Sequence, residues 1–200
     1  MEQVEINGTN LPISPSIQTW QDLLLELETK HIGEREIIAS VRFDGNEILE
    51  FRDRAILDRS LQSIGEVRIQ AILLEEMVKQ AILDAENYLV SLQTAMVDTA
   101  ETFRLRQLDE ANDKLSQVLQ GIKMFVALLQ GIELSLRSSN RLPGERISQL
   151  LNGMAPTLEG LIESQTHKDW ILVADILEFE LLANLAGFEE SIAEFKQAMQ

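Results

Sequence analysis

The sequence contains no cysteine, two histidines and a single tyrosine. Without cysteine the chain has no disulfide, no thiol nucleophile and no thiolate ligand for zinc or an iron–sulfur cluster. Two histidines cannot supply a three-histidine metal site. We therefore predict no catalytic residue, no cofactor and no metal site.

Basic residues are also scarce, since 17 Lys and Arg stand against 33 Asp and Glu, for a net charge of −16. Residues 1–73 hold seven basic and thirteen acidic residues, and residues 74–200 hold ten and twenty, so no acidic tail carries the charge. Nucleic acid and anionic lipid both require a surface rich in Lys and Arg, so we expect neither nucleic acid nor membrane as a partner. The acidic residues are expected to coat a folded, soluble surface.

Long hydrophobic runs are missing from the sequence. Apolar stretches such as Ile171–Ala174 are too short and too interrupted to span a bilayer. The first residues, Met-Glu-Gln-Val-Glu, lack the apolar region of a signal peptide. We expect a cytoplasmic protein of bacterial type.

Motifs for the common catalytic sites are absent too. The sequence has no Gly-x-Ser-x-Gly, no phosphate-binding loop and no dinucleotide fingerprint. Its nearest approach to the Glu-x-x-His pairs of di-metal bundles is Glu163 with His167, which has the wrong spacing. Gly121 and Gly131 lie inside a helical pattern, where we expect them to permit close helix packing. These observations predict a protein that is not an enzyme.

Residues 1–73 combine strand-like alternation with turn signals. Asn7-Gly8 lies between alternating apolar residues, which is the pattern of a tight hairpin. Ser14-Pro15 predicts the N-cap and first turn of a helix. The other predicted elements are strands over 37–43 and 47–51 joined by Asp44-Gly45, a helical turn over 55–61, and a strand over 66–72.

This order of strand, strand, helix, strand, strand, short helix and strand resembles the ubiquitin-like β-grasp superfamily. Residues 40–49, Ser-Val-Arg-Phe-Asp-Gly-Asn-Glu-Ile-Leu, are similar to its strand–glycine turn–strand segment. The resemblance covers about the first third of the chain and implies a small sheet with a helix on one face and a protein-binding role. Another small α+β sandwich with a helix on one sheet face is the alternative.

Alternation along the predicted strands divides their side chains between two faces. The outward face is expected to carry Arg42, Arg68 and Gln70, which are our candidate partner-binding residues. The matching face of ubiquitin is hydrophobic, so a basic face implies a different partner. That partner is either an acidic protein or the acidic helices of this same protein. The positions expected to point inward are Val41, Phe43, Val67 and Ile69.

Residues 74–200 show the alternating three- and four-residue spacing of packed helices. Helices are predicted to begin near residues 74, 108, 147 and 170, and Thr166 with Asp169 predicts a capping box before the last of them. Whether residues 74–137 form two helices or one bent helix is left open. The predicted fold class is thus α+β, with a ubiquitin-like β-grasp domain over 1–73 and an antiparallel, roughly four-helix domain over 74–200.

Asp175 and Glu178 lie one helical turn apart in the most apolar of the predicted helices, so they are a candidate buried polar pair. A buried carboxylate needs a partner, and Arg104, Arg106 and Arg137 are available. Three interpretations stay open here: a structural salt bridge, a plain surface face, or a functional acid.

The combined features predict a non-enzymatic protein-interaction module, an adaptor or small scaffold with a protein partner. A chaperone-like binder of a secreted or assembling protein and a carboxylate-dependent enzyme built on Asp175 and Glu178 are the alternatives. The helical domain is also a candidate for homodimer formation. Its candidate dimer face consists of Met96, Phe103, Met124 and Val126.

Overall fold

Alternating apolar residues and two tight turns build a mixed sheet in the N-terminal part of the chain. The structure, a computed structural model, describes residues 3–14 and 16–200. Within these residues the five strands pair in the order β2-β1-β5-β3-β4, and the β1–β5 pair is parallel while the others are antiparallel. The strands are β1 Gln3–Ile6, β2 Thr9–Leu11, β3 Glu36–Phe43, β4 Asn46–Glu47 and β5 Glu66–Leu73.

The helices complete an α+β fold. The sheet region holds α1 Trp20–Lys30, α2 Arg54–Leu57 and a 3₁₀ turn at Leu61–Ser63, so the predicted element order is confirmed. The chain divides into two compact units, Met1–Met77 and Val78–Gln200. The remaining helices are α3 Leu74–Arg104, α4 Leu108–Ser138, α5 Arg146–Thr166, α6 Trp170–Asp175, a π-helix at Ile176–Leu181, and α7 Leu182–Ala198.

The core of the first unit lies between α1 and the inner face of the sheet. Trp20 packs edge-on against Phe43, with ring centroids 5.0 Å apart, and its indole N–H donates to the Phe51 carbonyl. The four positions predicted to point inward are buried, as strand alternation requires. They are Val41, Phe43, Val67 and Ile69.

Helix α1 begins later than predicted. Pro15 lies outside the described residues, and the N-cap is Thr19 rather than Ser14. The Thr19 hydroxyl accepts the Asp22 N–H, while the Asp22 carboxylate accepts the Thr19 N–H, each at 3.2 Å. This reciprocal capping box satisfies two helix-end donors at once. Ser14 forms no such box, and its hydroxyl instead contacts that of Ser16 at 2.8 Å.

The Asn7-Gly8 hairpin is confirmed, and the Asn7 side chain also joins this turn to β5. Asn7 and Gly8 have φ of 49° and 82°, the left-handed values that a tight hairpin turn requires. The Asn7 side-chain oxygen accepts the Ala71 N–H at 3.0 Å, and its amide nitrogen donates to the Ala71 carbonyl at 2.9 Å. The side chain therefore takes the place of a strand backbone and extends the pairing of β1 with β5.

Two details of the sheet differ from the prediction. The strand predicted over 47–51 is shorter, since β4 ends at Glu47, although the Ile48 N–H still donates to the Val41 carbonyl. The register of β3 on β5 shifts between Ile38 and Ser40, where a β-bulge adds a residue to β3. The bulge lets both ends of β3 keep their apolar side chains on the core face.

The second unit has a core built on α4, which packs against α5 and α7. The predicted seam of α4 is buried from Ala111 to Leu136, and Phe125 packs against Tyr88 and Phe188 with centroids 6.1 and 6.0 Å away. Helices α3 and α4 are separate, because the chain turns at Arg106 with φ of 59°. The last helical segment runs without a break over residues 170–198, as predicted, but contains a π-helix that was not predicted.

Helix α4 is also long and apolar enough to cross a membrane, with a mean hydropathy of 1.3 over an 18-residue window. The short apolar stretches considered from the sequence missed this window. Within the protein 44% of the window is buried. The core helix of a soluble protein has the same length and apolarity, so this is weak evidence for a membrane segment.

The predicted capping box before the last helix is wrong. Thr166 ends α5, and its hydroxyl donates back to the Ile162 carbonyl at 2.8 Å. The N-cap of α6 is Asp169, whose carboxylate accepts the Leu172 N–H at 3.1 Å. Lys168, with φ of 59°, forms the turn between them, so Thr166 is too far back along the chain to cap α6.

The two glycines inside α4 differ in their surroundings. A Cβ on Gly121 would lie 3.1 Å from Leu92 Cδ1 and 3.2 Å from the Tyr88 hydroxyl, so the predicted close packing is confirmed there. For Gly131 the prediction is wrong, since no described atom beyond its chain neighbours and the backbone of its own helix lies within 4 Å of such a Cβ.

Candidate functional site

The outward face of the N-terminal sheet brings the three candidate partner-binding residues together. Arg42 on β3 is the direct cross-strand partner of Arg68 on β5. Gln70 is paired with Ser40 one step along the same face. The side chains of Arg42, Arg68 and Gln70 are exposed, as strand alternation predicted.

The two arginine side chains differ in the acidic groups that they bind. Arg68 binds Glu66 at 2.9 Å and approaches Glu5 at 4.0 Å. The Arg42 side chain forms no hydrogen bond or ion pair among the residues that the structure describes, although Glu47 is its neighbour on β4. Like charges that face each other directly across two strands are destabilising. Arg42 thus stands between Arg68 and Glu47, and its side chain forms no ion pair with that acid.

A shallow depression of about 500 Å³ lies on this face, bordered by residues of β1, β3 and β5. Its lining offers guanidinium, amide and hydroxyl donors, which suit a carboxylate or a backbone carbonyl. Asn7 also borders the depression, but its amide is committed to Ala71. The polar side chains that line it include Glu5, Ser40, Arg42, Arg68 and Gln70.

A second polar cluster lies in the helical unit, where Arg104 holds both Asp175 and Glu178. Its guanidinium lies 2.8 Å from Asp175 and forms a further hydrogen bond with Glu178. The hydrogen bond to Asp175, followed by the one to Glu178, raises the pKa of Arg104 above its ordinary value. The side chains of Asp175 and Glu178 are 46% and 29% exposed, so this pair is half-buried rather than buried.

The structure therefore pairs both acids with one of the three arginines considered from the sequence. Arg137 instead binds Glu145 at 2.7 Å. Both carboxylates are engaged by Arg104, which is the geometry of a structural salt bridge between the end of α3 and the last helical segment.

The sequence patterns did not predict the π-helix or the exposed aromatic side chain that it carries. Phe179 lies in the π-helix, is 64% exposed, and its ring centroid is 6.0 Å from the Arg104 guanidinium carbon. A π-helix has no local sequence signal, because its residues also suit an α-helix. Only the unusual apolar character of residues 170–182 marked this segment.

Most of the helical unit also matches a known family. A family model described as a domain of unknown function, DUF8042, covers residues 80–191, which is more than half of the chain. The chain belongs to this family. No curated protein and no solved structure matches the chain. The DUF8042 region includes the Arg104 cluster, whereas the sheet with Arg42 and Arg68 lies outside it.

The candidate dimer face in the DUF8042 region is wrong at three of its four positions. Met96 and Phe103 have no exposed surface and Val126 is 6% exposed, while Met124 is 57% exposed. The three buried side chains belong to the core of the unit itself. A helix with neighbours on two sides buries a stripe of residues wider than a single seam. Apolar residues beyond the seam therefore pack inside the unit instead of facing a second copy.

A groove of about 320 Å³ separates α3 and α4 in the DUF8042 region. Lys114 lies at its edge and binds Asp98 at 2.8 Å and Glu110 at 2.9 Å. These bonds, the one to Asp98 first, raise the pKa of Lys114. Within residues 3–14 and 16–200, no group of three or more His, Asp or Glu side chains is placed to hold a metal ion.

Proposed function

We propose that the chain is a non-enzymatic protein-interaction module, an adaptor or small scaffold, and that it binds its partner through the outward sheet face at Arg42, Arg68 and Gln70. One observation carries this proposal. The sheet holds two arginines side by side on an exposed face, and the Arg42 side chain has no hydrogen bond or ion pair among the described residues. Such an arrangement costs stability and is typical of a binding surface.

The proposal includes a ubiquitin-like β-grasp fold for the N-terminal unit and an antiparallel, roughly four-helix arrangement for the rest. The element order and a mixed sheet with α1 packed on one face support the first assignment. The proposal also places the chain in a bacterial cytoplasm, with which the lack of cysteine agrees. Fold likeness alone is weak support for a function, so the binding surface carries the argument.

A second candidate function is a chaperone-like binder. Leu83, Val90 and Val97 on α3 are 48%, 60% and 42% exposed and follow one another at seven-residue spacing. A stripe of this kind suits an amphipathic helix, either of a client protein or of a second copy of the chain. Light scattering over a wide concentration range separates self-association from client binding.

The test of the main proposal is an affinity capture from native-host lysate with three baits. These are the wild type, an Arg42→Glu/Arg68→Glu variant, and an Arg35→Glu/Arg54→Glu control. Arg35 and Arg54 are exposed residues of the same unit away from the face, so the control has the same change in charge. We expect a protein that the wild type and control retain and the first variant loses. Identical capture by all three baits would contradict the proposal.

A further inference from the structure

We propose that the Asn7-Gly8 turn is a deamidation site that reacts only while the turn is detached from β5, so that opening of the sheet leaves a permanent covalent change. An Asn-Gly step can react within itself, because glycine has no side chain to hinder attack by its nitrogen on the asparagine side chain. The sequence holds two such steps, Asn7-Gly8 and Asn152-Gly153. The structure places them in different backbone conformations, which decide when each of them can react.

The reaction needs only the turn itself and water. The Gly8 nitrogen forms a bond to Cγ of Asn7, the bond from Cγ to Nδ2 breaks, and Nδ2 leaves as ammonia with the proton that Gly8 gives up. Water then opens the resulting succinimide ring at either of its carbonyl carbons. One opening leaves aspartate at position 7, and the other leaves isoaspartate, in which the main chain passes through Cβ and Cγ. Each product has a carboxylate in place of the neutral amide.

Two features of the folded turn prevent this attack. Asn7 and Gly8 have φ of 49° and 82°, the left-handed values of a two-residue hairpin turn. In a left-handed residue the next nitrogen lies on the far side of the Cα–C bond from Cβ, so the Gly8 nitrogen is directed away from Cγ of Asn7. Ala71 also holds the Asn7 side chain, since it donates its N–H to Oδ1 at 3.0 Å and accepts from Nδ2 at 2.9 Å. Cγ cannot turn toward Gly8 until both of these bonds break.

Other parts of the turn offer little resistance to the reaction. Asn7 and Gly8 are exposed to solvent, and the Gly8 N–H forms no hydrogen bond with any residue that the structure describes. Strands β1 and β2 form one edge of the sheet, where local opening requires less free energy than it does in central strands. Detachment of the turn from Ala71 therefore limits the rate, because water already reaches the reacting atoms.

Neither product restores the folded turn. Aspartate at position 7 can accept the Ala71 N–H, but an ionised carboxylate has no donor for the Ala71 carbonyl. Isoaspartate adds one atom to the main chain of the turn, and the register of a hairpin depends on the length and type of its turn. The sheet therefore closes less tightly after the reaction than before it.

Asn152-Gly153 provides an internal comparison. This step lies inside α5, where main-chain N–H groups donate to carbonyls of the same helix. Its reaction is therefore controlled by the opening of α5 and not by that of the sheet. In an unfolded chain both steps are freely mobile and have the same two residues, so their rates there measure the intrinsic reaction.

The experiment incubates the full chain at mildly alkaline pH and follows both asparagines by peptide mass spectrometry, which detects the conversion of an amide into an acid. In concentrated urea, which unfolds the chain, we expect Asn7 and Asn152 to react at similar rates. In the native protein Asn7 should react more slowly than in urea by roughly tenfold or more. Equal rates for Asn7 in the two conditions would overturn the inference, because the folded turn would then give no protection.

A core variant connects the reaction to opening of the sheet. Val4 on β1 is fully buried, so Val4→Ala should raise the deamidation rate of Asn7 by roughly threefold or more. Exchange of the Ala71 N–H with deuterium should rise by the same factor, since the same opening exposes that group. The control Val90→Ala changes an exposed residue of α3 and should alter neither rate. Faster exchange at Ala71 without faster deamidation of Asn7 would overturn the inference.

A second variant and the reacted protein complete the test. Ile6→Val, a milder change at another buried position of β1, should raise both rates by a smaller factor and replaces Val4→Ala if that variant does not fold. Ion exchange separates the reacted chain by its additional negative charge, and we expect it to melt at a lower temperature than the unreacted chain. Equal melting temperatures would overturn the permanent weakening of the sheet. None of these measurements involves a partner, so this inference and the proposed function can fail independently.

Discussion

The carboxylate of Glu133 on α4 accepts the backbone N–H of Ile147 in the first turn of α5, at 3.1 Å. It also accepts the N–H of Arg146 at 2.6 Å, and the Glu133 side chain is buried, with its residue only 4% exposed. The N-cap residue of α5, Glu145, makes no side-chain capping bond of its own. A neighbouring helix therefore supplies the cap, and its negative charge lies at the positive end of the α5 dipole.

Removal of this cap should destabilise the helical unit. We expect Glu133→Ala to lower the free energy of unfolding by about 2–3 kcal/mol, because the buried N–H of Ile147 and the partly buried N–H of Arg146 lose a charged acceptor. Glu133→Gln, which keeps an acceptor oxygen, should cost about 1 kcal/mol. Urea denaturation followed by circular dichroism measures both. The control is Glu159→Gln, an exposed position on α5, and an unfolding midpoint for Glu133→Ala equal to that of this control would refute the cap.

The Arg104 cluster should contribute modestly to stability. Double-mutant cycles of Arg104→Gln with Asp175→Asn, and with Glu178→Gln, should each give a coupling of about 0.5–1 kcal/mol, because the three side chains are partly exposed. The coupling should shrink in about 1 M salt, where exposed charges are screened. A cycle with the exposed Glu180→Gln should show none, and equal values in all three cycles would rule out specific pairing.

The capping box of α1 predicts a pH dependence. Hydrogen bonds from the Thr19 hydroxyl and then from its N–H hold the pKa of Asp22 below its ordinary value of 3.8. A lowered folded-state pKa means that the stabilisation is present above 3.8 and is lost as the pH falls through the folded value. Asp22→Asn should therefore lower the melting temperature at about pH 6 and have a diminishing effect below pH 3.8.

The control for this pH series is Asp58→Asn, an exposed aspartate at the end of α2. Its melting temperature should follow that of the wild type across the series. A difference between wild type and Asp22→Asn that stays constant down to about pH 2 would show that the carboxylate charge plays no part in the cap.

The two hydrogen bonds between the Asn7 side chain and the Ala71 backbone can be tested by amide exchange. Asn7→Gly keeps the turn but loses both bonds to Ala71, whereas Asn7→Asp keeps the acceptor and loses the donor. We expect the Ala71 amide to exchange faster with deuterium in Asn7→Gly and to stay protected in Asn7→Asp. Each lost bond should cost about 1 kcal/mol of unfolding free energy. Slow exchange of Ala71 in Asn7→Gly would show that another group protects that amide.

The features that follow from local periodicity were predictable. Alternation assigned Arg42 and Phe43 to opposite faces of β3, and the helical spacing from Ala111 to Leu136 marked the buried seam of α4. The direct pairing of Arg42 with Arg68 was not predictable, because it depends on the register of β3 against β5 and on the bulge after Ile38. Register is a tertiary property that alternation leaves open.

Helix starts and tertiary pairing account for the other differences. Ser14 and Thr19 both suit an N-cap, and only the box with Asp22 decides between them. From the sequence, Glu133 is indistinguishable from the surface acids of an amphipathic helix. The N–H groups that it binds belong to another helix, 13 and 14 residues further along the chain. Met96 was assigned to the candidate dimer face on the assumption that its helix buries one narrow seam of apolar residues. The helix in fact buries a broader stripe, which includes Met96.

The π-helix at Ile176–Leu181 divides one continuous helix into two hydrophobic phases. Its hydrogen bonds reach five residues back instead of four, so its turn holds one residue more than an α-helical turn. Deleting a single residue there would leave an ordinary α-helical turn and keep α7 in phase with the core. The same deletion in the first turn of α7 would rotate everything that follows by about 100° around the helix axis, and buried side chains such as Phe188 and Phe195 would leave the core together. The π-helix is therefore the place in this segment where the loss of one residue is absorbed best.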